Sequence, residues 1–327
     1  MPQELNVASI AAPAPDALRA GELVLSPTAR AVVRTLLYFD IFKHPLRKEE
    51  LIAFSQLRAH ESDDLRPALE HLLQEGLVVE SDGHFALSEA GERTARRARH
   101  SQRAKERMVK AQRNSDLIGS FPFVRAVMLS GSISKGVLDE TGDIDYFIIT
   151  APRRLWVART LLVLYKKIFL LNSRRDFCVN YFIDTHHLAI EDRNLFTATE
   201  VVTLLPTHGP SWCRDFFNAN QWAFERFPNM PAQRPMPLEP SSSGPQRWTE
   251  RLLNGALGEW LDDLFMRLTY MRWRRKFGGF DARTFELALR TRKYVSKHHP
   301  QGFQQRVLDA LTERIARFEA QHGLSLG

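Results

Sequence analysis

Between residues 26 and 114 apolar positions recur every three or four residues, the spacing of amphipathic helices. Ser26 stands as a candidate N-cap before Pro27 at the first helical position, and Ala31, Thr35, Leu36, Tyr38 and Phe39 supply that helix's inward side as far as His44-Pro45. A short helix over 47–54 and a third over 63–75 follow, the third with a stripe of Leu65, Leu69, Leu72 and Leu73 and a stop at Gly76. Two short apolar runs, 77–80 and 84–87, flank Ser81-Asp82-Gly83 and predict a hairpin. Residues 88–114 read as one long helix.

Beyond it the period shortens. Val124, Ala126, Val127, Met128 and Leu129 form an apolar run that stops at Ser130-Gly131-Ser132. A second run begins Asp143-Ile144-Asp145 and continues Tyr146-Phe147-Ile148-Ile149. Strand alternation places Asp143 and Asp145 on one face. Two carboxylates a few ångströms apart repel unless a cation lies between them, and Mg²⁺ takes one or two carboxylates together with substrate phosphates.

The segment Leu155 to Leu171 is apolar but carries Arg159, Lys166 and Lys167, and it falls short of the roughly 20 residues a membrane span requires. It reads as a buried helix. A strand over 176–184 follows, then helices over 191–205 and 211–227. Residues 229–246 form a proline- and serine-rich linker, and 247–327 read as a helical bundle.

Composition narrows the possibilities. A chain of 327 residues with 44% hydrophobic residues is long enough for two or three domains with real cores. The net charge of +7 favours polyanionic partners. Cys178 and Cys213 show neither CxxC nor CxxH spacing, which argues against a disulfide framework or a zinc site and for a cytoplasmic setting. Residues 1–25 mix acids and prolines, unlike a signal peptide, and read as a flexible tail.

Charge also weighs on nucleic-acid readings. Three helices and a two-stranded wing over 26–90 look like a winged helix. Its third helix, DDLRPALEHLLQE, carries more acid than base, whereas a helix entering the major groove should be net positive. DNA contact is therefore not favoured, and a packing or protein-contact role is the better expectation. The long helix carries ten Lys, Arg and His side chains between Glu92 and Asn114, yet mixed charge of this kind usually marks a solvated connector, assigned here to 91–115. The adjacent pairs His186-His187 and His298-His299 make poor chelates. Asn220 and Trp222 fit core positions better than contacts to a base.

Gly131-Ser132, ten intervening residues and Asp143-Ile144-Asp145, each motif set against an apolar run, resemble the signature of the DNA polymerase β-like nucleotidyltransferase superfamily. The resemblance covers about residues 116 to 190. The wider arrangement also looks like a bacterial group of nucleotidyltransferase-domain proteins with a preceding winged helix, through Leu37 to Phe42 and Cys178-Val179-Asn180-Tyr181-Phe182. In that superfamily the Gly-Ser turn holds the triphosphate and the paired aspartates hold the metal ions. Where many relatives have Ala-Arg-Gly after the turn, this chain has Ser134-Lys135-Gly136, which keeps a positive charge without the arginine fork. The third carboxylate of the family falls on a neighbouring strand, where Asp176 would preserve the chemistry and Asn180 would not. Asp184 lies further along the same face.

The resemblance thus implies an α+β fold: a nucleotidyltransferase-type mixed sheet with helices over 116–228, preceded by a winged helix and followed by a helical C-terminal region. It implies a Mg²⁺-dependent transfer of a nucleoside monophosphate from a nucleoside triphosphate to a hydroxyl acceptor on a protein, small molecule or nucleic acid. Asp143, Asp145 and Asp176 would bind metal and serve catalysis, and Gly131, Ser132 and Lys135 would hold phosphates. The alternative is a weak or inactive nucleotide-binding regulator whose winged helix meets DNA or a protein partner. No membrane is expected.

Overall fold

The computed structural model describes residues 24–57, 65–171, 175–231, 235–239 and 244–327. In chain order the elements are α1 (Pro27–Asp40), β1 (Leu46–Arg47), α2 (Lys48–Phe54), α3 (Leu65–Gln74), β2 (Val79–Ser81), β3 (His84–Ala86) and α4 (Ala90–Gly119). Then come β4 (Val124–Ser130), α5 (Gly131–Ser134), β5 (Asp145–Thr150), α6 (Leu155–Phe169), β6 (Cys178–Asp184), α7 (Leu195–Thr203), β7 (Leu205–His208), α8 (Pro210–Ala219) and α9 (Gln221–Arg226). The chain continues through α10 (Gly244–Leu253), α11 (Ala256–Lys276), α12 (Ala282–Ala288), β8 (Thr291–Arg292), β9 (Val295–Lys297) and α13 (Phe303–His322). This is an α+β protein with one antiparallel and one mixed sheet. Residues 1–23 of the expected tail, 232–234 and 240–243 of the expected linker, and the expected start of the third helix at Asp63 lie outside the described residues.

Local chemistry explains the N-terminal elements. Ser26 Oγ accepts from the Ala29 N–H at 3.1 Å, capping α1 with Pro27 just inside it. Asp82 and Gly83, at φ of 48° and 71°, make the tight turn between β2 and β3. The sheet order β1-β3-β2 closes this unit.

α4 is more than the solvated connector its charges suggest. Several of its cations turn inward and tie the N-terminal elements to the large sheet. Arg93 pairs with Asp40, Arg96 donates to the Phe42 and Lys43 carbonyls, and Arg97 forks onto Glu50. Further along, Ala104, Ala111 and Ile118 face the main core.

The large sheet has the order β7-β4-β5-β6-β9-β8. Neighbours are antiparallel except β5 and β6, which run parallel because α6 carries the chain back between them. Tyr146 and Ile148 of β5 enter the core beneath α4 and α6. Phe147 and Ile149 enter the opposite one, with α7 and α8.

Residues 247–327 form no bundle of their own. α11 packs on α6, β8 and β9 extend the sheet beyond β6, and Val307 and Phe318 of α13 complete the N-terminal core. Asp40 joins these parts by accepting from both Arg93 and Arg314.

Candidate functional site

β4 and β5 pair with Ser130 opposite Asp145, so the end of one strand meets the start of the next. The chain leaves β4 through Gly131, whose φ of 70° is costly for any residue with a Cβ. A Cβ placed there would lie 2.7 Å from Asp145 Oδ2. Gly131 therefore serves both the turn and the approach of a carboxylate to its backbone. Ser132 beside it is exposed. α5 lasts four residues, so it brings only the dipole of a single turn.

Asp145 begins β5, on the side of the sheet where Phe147 and Ile149 meet α7 and α8. Asp143 lies just ahead of the strand and is half-buried. Burial pushes the Asp145 carboxyl up to about 7, with the charges of Asp143 and Glu200 adding to it and the Cys178 thiol and Lys135 opposing.

Asp176 does not join this pair. β6 begins at Cys178, so strand alternation does not extend back to Asp176, and its carboxylate is held by Arg107 and Lys110 of α4 across the sheet. Its carbonyl accepts from Asn114 at 2.6 Å and from the Tyr146 hydroxyl at 3.3 Å. The place beside Asp145 belongs to Asn180, whose Nδ2 donates to Asp145 Oδ1 at 3.2 Å and lies 2.9 Å from Cys178 Sγ. Asp184, further along β6, instead accepts from His187.

Lys135 stands behind the turn, engaged on two sides. Its Nζ donates to the Gly131 carbonyl at 3.0 Å and to Glu200 Oε1 at 2.8 Å. Glu200, on α7, has no counterpart in the sequence reading. Its signal was present as a lone acid in the otherwise apolar and hydroxyl-bearing run Leu195-Phe-Thr-Ala-Thr-Glu-Val-Val-Thr203, but nothing local says what it faces.

Two half-buried histidines border this region. Burial, aided by the Arg97 charge, lowers His44 to about 3, and burial aided by Lys297 lowers His299 to about 4. Lys135 acts on the first and Glu200 on the second, so both rings stand near the ion pair as neutral groups. Asn220 is a core cross-link. Its amide donates to the Leu188 and Phe216 carbonyls and accepts from Ile190 N–H and Trp222.

Among the described residues no group of three or more His, Cys, Asp or Glu side chains is arranged to hold a metal ion. What this donor set offers is two carboxylates. Among the described residues no Lys or Arg hydrogen-bonds to Asp145, which is bonded by an amide and a thiol while Lys135 acts on it only at longer range. That set suits a hard cation that completes its shell with water and phosphate oxygens. Comparison of the chain with protein-family models, with curated proteins and with solved structures finds no match.

Proposed function

We propose that this chain binds a nucleoside triphosphate together with Mg²⁺ at Gly131, Ser132, Asp143 and Asp145, in the manner of the nucleotidyltransferase superfamily, with binding outweighing transfer. The observation that carries the reading is the approach of the Asp145 carboxylate to the Gly131 backbone. It brings a candidate phosphate-holding turn and a candidate metal ligand into contact.

A bound Mg²⁺ would neutralise phosphate charge and polarise a phosphoryl oxygen. The chain's own part is positional. Gly131 lets the Asp145 carboxylate lie against the turn, and Ser132 offers a hydroxyl at the open side. Lys135 supplies a cation once its bond to Glu200 loosens. Asn180 orients Asp145 but cannot take a proton from an attacking hydroxyl, and Asp176 is spent on α4. Both features weigh toward binding.

A second reading is favoured by Glu200. It is a carboxylate on Asp145's side of the sheet, and it would serve as the base for transfer to a hydroxyl acceptor. Under either reading the N-terminal unit, a winged helix in element order, acts as a packing module. Helix α3, the one that would enter a groove, carries Glu70 and His71 with Glu75 just past its end, a poor surface for DNA phosphates.

Labelled nucleoside triphosphates, Mg²⁺ and cell lysate distinguish the two. Retention of nucleotide by wild type but not by Asp143→Asn plus Asp145→Asn, with little label passed to any acceptor, is the expected result. Transfer abolished by Glu200→Gln would move the assignment to the second reading, and equal retention by wild type and double variant would reject both.

A further inference from the structure

α11 is apolar on the face it buries and on the face it shows. Gly258, Asp262 and Trp273 are buried, and Leu261, Phe265 and Met266 pack toward the core. At 3.6 residues per turn the opposite side carries Leu257, Trp260, Leu264, Leu268 and Met271. Leu257, Trp260, Leu268 and Met271 are 53, 59, 49 and 57% exposed. A surface helix normally turns polar residues outward, and a continuous apolar stripe marks an interface.

Charge identifies the occupant. Glu259 and Asp263 lie along one flank of the stripe in the first half of α11, and Arg267 and Arg274 lie along the same flank in the second half. When two helices pair antiparallel, like flanks meet and opposite ends coincide. Glu259 and Asp263 of one copy then bracket Arg267 of the other, although each acid also pairs within its own chain, with Arg153 and Lys293. Parallel pairing would instead bring unlike flanks together, setting these acids against the Leu261 and Phe265 side of the other copy. An anionic membrane would suit the basic second half of this flank and repel its acidic first half, whereas a second copy suits both.

We propose that α11 is the contact between two copies of this chain, paired antiparallel about a two-fold axis near Leu264. That axis sets Leu257 beside Met271 of the other copy and Trp260 beside Leu268, closing both ends of the stripe with apolar side chains. The inference is independent of the nucleotide reading.

The test is the mass of the full-length chain by light scattering, together with cysteine cross-linking. Cys178 and Cys213 are both buried, so an introduced thiol reports on its own position. The expected result is a dimer for wild type and a monomer with unchanged circular dichroism for Trp260→Glu. Under mild oxidation Leu264→Cys cross-links to itself, while Leu257→Cys and Met271→Cys cross-link only when mixed. A monomer at every concentration overturns the proposal, as does a monomer that floats with anionic vesicles or a Leu257→Cys chain that cross-links to itself. Should Trp260→Glu fail to fold, the cysteine pattern decides alone.

Discussion

Asn180 donates its side-chain amide to Asp145 Oδ1 at 3.2 Å, so an amide and not a carboxylate stands beside that acid on β6. Asn180→Asp exchanges this bond for a third acidic side chain beside Asp143 and Asp145. Without metal the repulsion should lower stability by about 1–3 kcal/mol. Mg²⁺ or Mn²⁺ should restore it, so thermal melts in chelator and in metal should diverge more for the variant than for wild type. A melting temperature indifferent to both substitution and metal would speak against a cation position here.

Asp176 provides the contrast. Its partners are Arg107 and Lys110, with the carboxylate about one-fifth exposed, so Asp176→Asn should cost on the order of 1 kcal/mol in denaturant titration. Nucleotide affinity should stay within about twofold of wild type. Loss of binding as complete as that caused by Asp145→Asn would place Asp176 in the site after all.

The Lys135–Glu200 pair predicts an opposing effect. Glu200→Gln leaves Lys135 with the Gly131 carbonyl and a weaker neutral partner, freeing charge for an incoming polyphosphate. Affinity for inorganic tripolyphosphate, followed by calorimetry, should rise several-fold in Glu200→Gln and fall in Lys135→Met. No change in either would remove Lys135 from the phosphate-holding set.

Asp262 governs a pH effect remote from the site. Its Oδ1 accepts from the Trp156 and Val157 N–H groups at 2.7 and 3.0 Å, capping α6 from α11, while Oδ2 is buried without a hydrogen-bond partner. Burial outweighs those bonds and raises its carboxyl to about 6, above the ordinary value of 3.8. The folded chain therefore binds this proton more tightly than the unfolded one, and stability falls as pH rises through the interval between those two values. Asp262→Asn keeps the capping oxygen and removes the titration. Relative to it, wild type should lose roughly 2 kcal/mol between about pH 4 and pH 7. Parallel stability curves for the two proteins would refute the assignment.

How far the chain was legible follows the range of each cause. Ser26-Pro27, Asp82-Gly83 and the strand, Gly-Ser turn and strand of 124–150 are written in adjacent residues, and the structure places those elements there. β7, β8 and β9 have four, two and three residues, too few to show alternation; β7 and β9 form against the distant strands β4 and β6, and β8 against its neighbour β9. Asp176 was misplaced because a strand start two residues late breaks the face alternation, and attraction to α4 takes over. Glu200 meets Lys135 across 65 positions, a contact that depends on α7 packing beneath the sheet.

The contact of Asp145 with the Gly131 turn carries the functional reading, and equilibrium binding tests it most directly. Titration of the wild-type chain and of Asp145→Asn with a fluorescent ATP analogue, in Mg²⁺ and in chelator, should show binding by wild type that depends on Mg²⁺. The variant's affinity should be at least tenfold weaker, about 1.4 kcal/mol. Equal affinity in the two proteins, or binding by wild type that ignores Mg²⁺, would contradict the account.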